Sequence, residues 1–82
     1  MKFECDGKTY DSDEMIQPRI EDKYIISLFV TQDYTCVFGA FMNPDSGVMV
    51  KRIAGERLEA LAKRTQLQEL VKAIEVANSV NS

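Results

Sequence analysis

Two apolar runs separated by a polar dipeptide occupy the middle of this chain and constrain its fold more than any other feature. Tyr24-Ile25-Ile26-Ser27-Leu28-Phe29-Val30-Thr31 and Tyr34-Thr35-Cys36-Val37-Phe38-Gly39-Ala40-Phe41-Met42 are rich in β-branched and aromatic residues, with Gln32-Asp33 between them. Runs of this length and composition fit strands, and so short a polar link joins them as antiparallel neighbours. A strand with one wet face alternates apolar and polar residues. Here alternation would place Ile26, Leu28 and Val30 on one side and Ile25 and Phe29 on the other, so both faces of the sheet need cover.

The flanking segments supply the candidates for that cover. Asn43-Pro44-Asp45-Ser46-Gly47 reads as a turn leading into a third strand, Val48 to Ile53. At the other end, Lys2 to Tyr10 forms two short alternating segments around Asp6-Gly7, a pair that tolerates the positive φ values of a type I′ hairpin turn. Asp11 precedes Glu14 at capping-box spacing, which predicts a helical turn or two over Ser12–Gln17. Pro18 then stops it, and Arg19–Lys23 follows as an irregular link.

From Gly55 the apolar period becomes helical. Leu58, Leu61 and Ala62 share one face, whereas Leu67, Leu70, Val71 and Ile74 would point nearly the opposite way on one straight helix. Thr65 stands three residues before Gln68, a capping-box spacing that suggests a new start where the face changes. The spacing therefore predicts helices over about 55–63 and 66–79, a bend near Lys63–Thr65, and a frayed tail from Asn78. The expected fold is α+β: an N-terminal β-hairpin and a three-stranded antiparallel meander packed against a C-terminal helical pair, within a single domain, 1–82. Either the hairpin folds over the second sheet face or that face meets a partner or another copy, which would make the protein a homo-oligomer.

Several function classes find no support. The longest nearly uninterrupted apolar stretches, Tyr24–Val30 and Cys36–Met42, fall far short of the roughly 20 residues of a membrane span. Lys2 is followed at once by Glu4, Asp6 and Lys8, unlike a secretory signal, so the expected location is cytoplasmic. With no histidine there is no Ser-His-Asp or Cys-His set, and no phosphate-cradling glycine motif is present. Asp11-Ser12-Asp13 opens like a calcium loop, but Ile16 stands where glycine is needed and Asp22 where glutamate is needed. Cys5 and Cys36 lie in no metal-ligand spacing. They read as reduced, half-buried thiols, though they would bridge if they faced each other on neighbouring strands. No catalytic residue, metal or cofactor is expected.

Charge is the remaining signal. The net charge is −3, yet residues 1–23 hold seven acids against four bases, whereas residues 51–82 hold six bases against four acids. The simplest meaning is that the two parts attract each other in the fold. The functional reading is a non-enzymatic protein-binding module or inhibitor that occupies a partner surface, such as the basic groove of a nucleic-acid-handling protein. Its contacts would be Glu4, Asp6, Asp11, Asp13, Glu14, Glu21 and Asp22 with the tyrosines Tyr10, Tyr24 and Tyr34. The rival is a nucleic-acid-binding regulator using Lys51, Arg52, Arg57 and Arg64, a group opposed by the overall negative charge and by Glu56 and Glu59.

Overall fold

A computed structural model of the chain describes residues 1–80. The N-terminal hairpin pairs β1 (Lys2–Cys5) with β2 (Lys8–Asp11), and Asp6 (φ 53°) and Gly7 (φ 80°) both take the left-handed conformation that the type I′ turn requires. The meander is a separate antiparallel sheet ordered β3 (Ile25–Val30), β4 (Val37–Asn43), β5 (Gly47–Ile53). Two helices follow, α1 (Gly55–Thr65) and α2 (Gln68–Val80). The expected α+β architecture is therefore present.

The sheet is indeed covered twice. On one face Leu28, Val30, Val37 and Ile53 pack beneath Leu58, Leu61 and Ala62 of α1 and Leu70 and Ala73 of α2. On the other, Phe29, Phe38 and Ala40 pack beneath Phe3, Cys5 and Tyr10 of the hairpin. Phe38 is fully buried. Phe3 meets it edge-on at 5.0 Å between ring centroids, and Tyr10 lies 4.7 Å away at a tilt. Pairs of this kind add about 0.5–1.5 kcal/mol each beyond their buried area. The hairpin thus closes the second face of the sheet.

Several local expectations are corrected. Ile25 does not oppose Leu28 and Val30: a bulge between Ile25 and Ser27 shifts the register, so Ile25 joins them in the helix-side core and Ile26 is exposed. Tyr34, Thr35 and Cys36 lie in a six-residue loop, 31–36, rather than in a strand. The helical turn after β2 is only a 3-10 turn, Ser12–Glu14, with the Asp11 carboxylate accepting from the Asp13 amide at 3.0 Å. It stops before Pro18 because Ile16 exchanges two backbone hydrogen bonds of 2.8 Å with Val30, extending the pairing at the edge of β3.

The two helices are separate as expected, but the break falls at Gln66 and Leu67 rather than near Lys63–Thr65, α2 continues to Val80 instead of fraying from Asn78, and the device is another one. Thr65 closes α1 instead of opening α2: its hydroxyl donates to the Leu61 carbonyl at 2.8 Å, and Gln66 turns left-handed (φ 54°) to donate its amide to Ala62. The entry to α1 is as abrupt. Ala54 is extended and Gly55 takes φ 63°, a turn between β5 and α1 that a residue without Cβ makes at little steric expense.

Gly39 in the central strand has a different reason to be glycine. A Cβ there would stand 2.9 Å from Ile53 Cδ1 and 3.1 Å from the Phe41 ring, so both side chains lean into the space it leaves empty. Gly39→Ala should lower stability by about 1–3 kcal/mol through overpacking, read as a shift of the urea midpoint with unchanged slope; an unmoved midpoint would mean that Ile53 and Phe41 yield freely.

Candidate functional site

The hairpin does more than close the core, because its second strand forms one wall of an open cleft. Lys8, Thr9, Tyr10 and Asp11 of β2, Glu14 of the 3-10 turn and Met15 just after it face Thr31, Gln32, Asp33, Thr35 and Cys36 of the β3–β4 loop across a volume of about 570 Å³. The loop is tied to the opposite wall by the Gln32 side-chain amide, which donates to the Glu14 carbonyl at 3.4 Å, and by the Ile16–Val30 pairing below it. Three carboxylates and one ammonium line the cleft, so it is electronegative.

Two of these carboxylates are held rigidly. Asp33 Oδ1 accepts from the Thr31 hydroxyl (2.8 Å), the Thr35 hydroxyl (2.7 Å) and the Thr35 amide (3.1 Å). These donors hold its pKa below the ordinary carboxylate value, the Thr35 hydroxyl most strongly. Asp11 is lowered by the Asp13 amide and by the amino group of Met1, which lies 3.4 Å from Oδ1. In each case these contacts fall on Oδ1. Tyr10 lines the cleft while its ring stacks on Phe3 at 5.7 Å. Burial, then the nearby Cys36 thiol, pushes its pKa up, so it remains a neutral donor.

The other anticipated contacts are dispersed. Asp22 is turned inward, its side chain 4% exposed. It accepts from the amides of Tyr24 (2.7 Å) and Ile25 (2.9 Å) and pairs with Arg64. Asp6 at the hairpin turn meets Arg52 of β5 at 3.4 Å. Asp13 pairs with the Met1 amino group at 3.2 Å on the outer side of the 3-10 turn. Glu4 and Glu21 are exposed but do not line the cleft. The tyrosines share no edge: Tyr24 is 69% exposed, whereas Tyr34 packs against the helix-side core with Lys72 Nζ 5.3 Å from its ring centre.

The basic group is divided in the same way. Arg52 and Arg64 are engaged with Asp6 and Asp22, which leaves Lys51 and Arg57 unpaired among the described residues. Cys5 and Cys36 are free thiols packed on the hairpin-side core, one in β1 and the other in the β3–β4 loop, so they do not sit on neighbouring strands. Among the described residues no three acidic or sulfur side chains converge to hold a metal ion, and no helix is long and apolar enough to cross a membrane.

Thr31, Asp33 and Thr35 were not among the anticipated contacts. Their signal was present: Thr-x-Asp-x-Thr at a chain reversal is the composition of side-chain-capped turns. No protein-family model, curated protein or solved structure matches the chain.

Asp11, Asp22 and Asp33 all have lowered pKa values in the folded state. The folded protein therefore binds fewer protons than the unfolded chain in the acid range. Their contribution is fully present above the unfolded carboxylate pKa of about 4 and is lost as pH falls through the lower folded values. Asp22→Ala should destabilise by about 1–3 kcal/mol at neutral pH, because the Tyr24 and Ile25 amides lose their acceptor. It should also flatten part of the acid limb in unfolding curves taken from pH 7 to 2.5; an acid limb of unchanged slope would remove Asp22 from that role.

Proposed function

We propose that this protein is a non-enzymatic binding module that acts by occupying the surface of a partner protein, with its acidic cleft receiving a lysine or arginine side chain of that partner. The observation that carries this reading is the pair of pinned carboxylates, Asp11 and Asp33, which line an open cleft together with Glu14. A cation entering there meets acceptors whose orientation is already set by hydrogen bonds within the protein. Little ordering entropy then opposes binding, and charge complementarity speeds encounter and sets register. Thr9, Thr35 and the Tyr10 hydroxyl supply neutral partners around the charge.

A partner rich in exposed lysine and arginine suits this surface, and proteins that handle nucleic acids carry such surfaces for phosphate binding. By covering one, the module would act as an inhibitor. Direct binding of nucleic acid draws less support, since two of the four candidate cations are paired within the fold and the cleft would repel phosphate.

Affinity capture from lysate of the source cells, with and without nuclease, tests the proposal. The wild-type protein should retain a discrete protein that survives nuclease, and Glu14→Lys combined with Asp33→Asn should weaken that retention by about tenfold or more. Retention that disappears with nuclease, or that the double variant leaves intact, would overturn it.

A further inference from the structure

A second cavity opens on the opposite, helix-covered face of the sheet, and it has a different chemistry. Its floor takes one side chain from each strand of the meander, Ile25, Phe41 and Ile53, and its wall is Leu61 of α1. The volume is about 310 Å³, at the small end of the range for organic ligands. The floor exists because Gly39 lacks a side chain, which lets Ile53 and Phe41 settle into the strand beneath. Ala60, a small residue on the rim, leaves the entrance open.

The rim is cationic. Arg57 and Arg64, two helical turns apart on α1, stand above the apolar floor. Arg64 already pairs with Asp22, whereas Arg57 makes no ion pair or hydrogen bond among the described residues. An apolar pocket beneath one uncompensated guanidinium matches a ligand with an apolar body and a single negative charge. Guanidinium binds carboxylate through two parallel hydrogen bonds. A dianionic phosphate monoester would have only half its charge met by Arg57.

We propose that this cavity binds a small organic monocarboxylate whose short aliphatic body lies over Ile25, Phe41 and Ile53 and whose carboxylate pairs with Arg57. The site lies on the other face of the sheet from the acidic cleft and does not depend on the cleft's function.

Nuclear magnetic resonance titration with octanoate below its micellar concentration tests this, with octanol and octylammonium as probes of the same body and different head. Octanoate should give saturable shifts at the amides of Ile25, Phe41, Ile53, Ala60 and Leu61. Arg57→Gln, at an exposed position that leaves the fold intact, should weaken octanoate by about tenfold and leave octanol unchanged. Gly39→Ala, which pushes Ile53 and Phe41 towards the cavity, should weaken both; its spectrum against wild type shows whether it remains folded, and Arg57→Gln decides the question if it does not. Absence of saturable shifts at these residues, equal affinity for octanol or octylammonium, or unchanged octanoate affinity in Arg57→Gln would each overturn the proposal.

Discussion

Burial of Phe38 is the constraint from which the rest of the architecture follows. It lies near the start of the middle strand, pointing away from the helices, and no part of α1 or α2 can reach it. Only the N-terminal hairpin can, and its register makes the contact possible: Phe3 is paired with Tyr10 across β1 and β2, so both rings leave the hairpin on the same face. A slip of one residue between the two strands would put the rings on opposite faces of the hairpin and withdraw one of them from Phe38. The Asp6-Gly7 turn, whose two positive φ values set that register, is therefore coupled to the integrity of a core many residues away.

The uneven charge of the chain acts first within the fold. Among the described residues, the ion pairs that join its acidic and basic parts cross between elements, Asp6 to Arg52 from hairpin to outer strand and Asp22 to Arg64 from the link to α1. They differ in kind. The Asp6–Arg52 pair is exposed on both sides and contributes little to stability. Asp22 is enclosed, caps two amides at the start of β3 and fixes where the irregular link meets the sheet. Of the acidic groups outside these pairings, Asp11, Glu14 and Asp33 line the cleft.

Elements set by period were legible in the sequence: the hairpin, the three-stranded meander and the two helices with opposed faces. What was not legible came from competition between neighbours. Ile25 and Ile26 are equivalent by alternation, and only the bulge decides which is buried. Thr65 has the spacing of a helix start, yet its hydroxyl reaches the Leu61 carbonyl because Gln66 can turn left-handed. The candidate site was half visible. Asp11 and Glu14 were evident as acids, but Asp33 gains its place only from the loop that holds it, and that loop was expected to be two residues long. Asp22 is indistinguishable from Glu21 in sequence, although one is enclosed and the other exposed.

Loop 31–36 shows how the cleft is kept in shape. Tyr34 sits at φ 61°, a conformation that a bulky side chain enters only at a cost of order 1 kcal/mol. It is held there from three sides: its amide donates to the Thr31 carbonyl at 2.8 Å, its ring packs on the helix-side core beneath Lys72, and Asp33 binds the threonines on either side. The facing wall is no freer, because Tyr10 both lines the cleft and covers Phe38. The cleft exists only while the hairpin is docked. A ligand that grips both walls therefore binds the closed protein alone, and by mass action stabilises the hairpin against undocking. In an 82-residue chain whose second core depends on that one contact, recognition at the cleft and stability of the fold are linked through the same tyrosine.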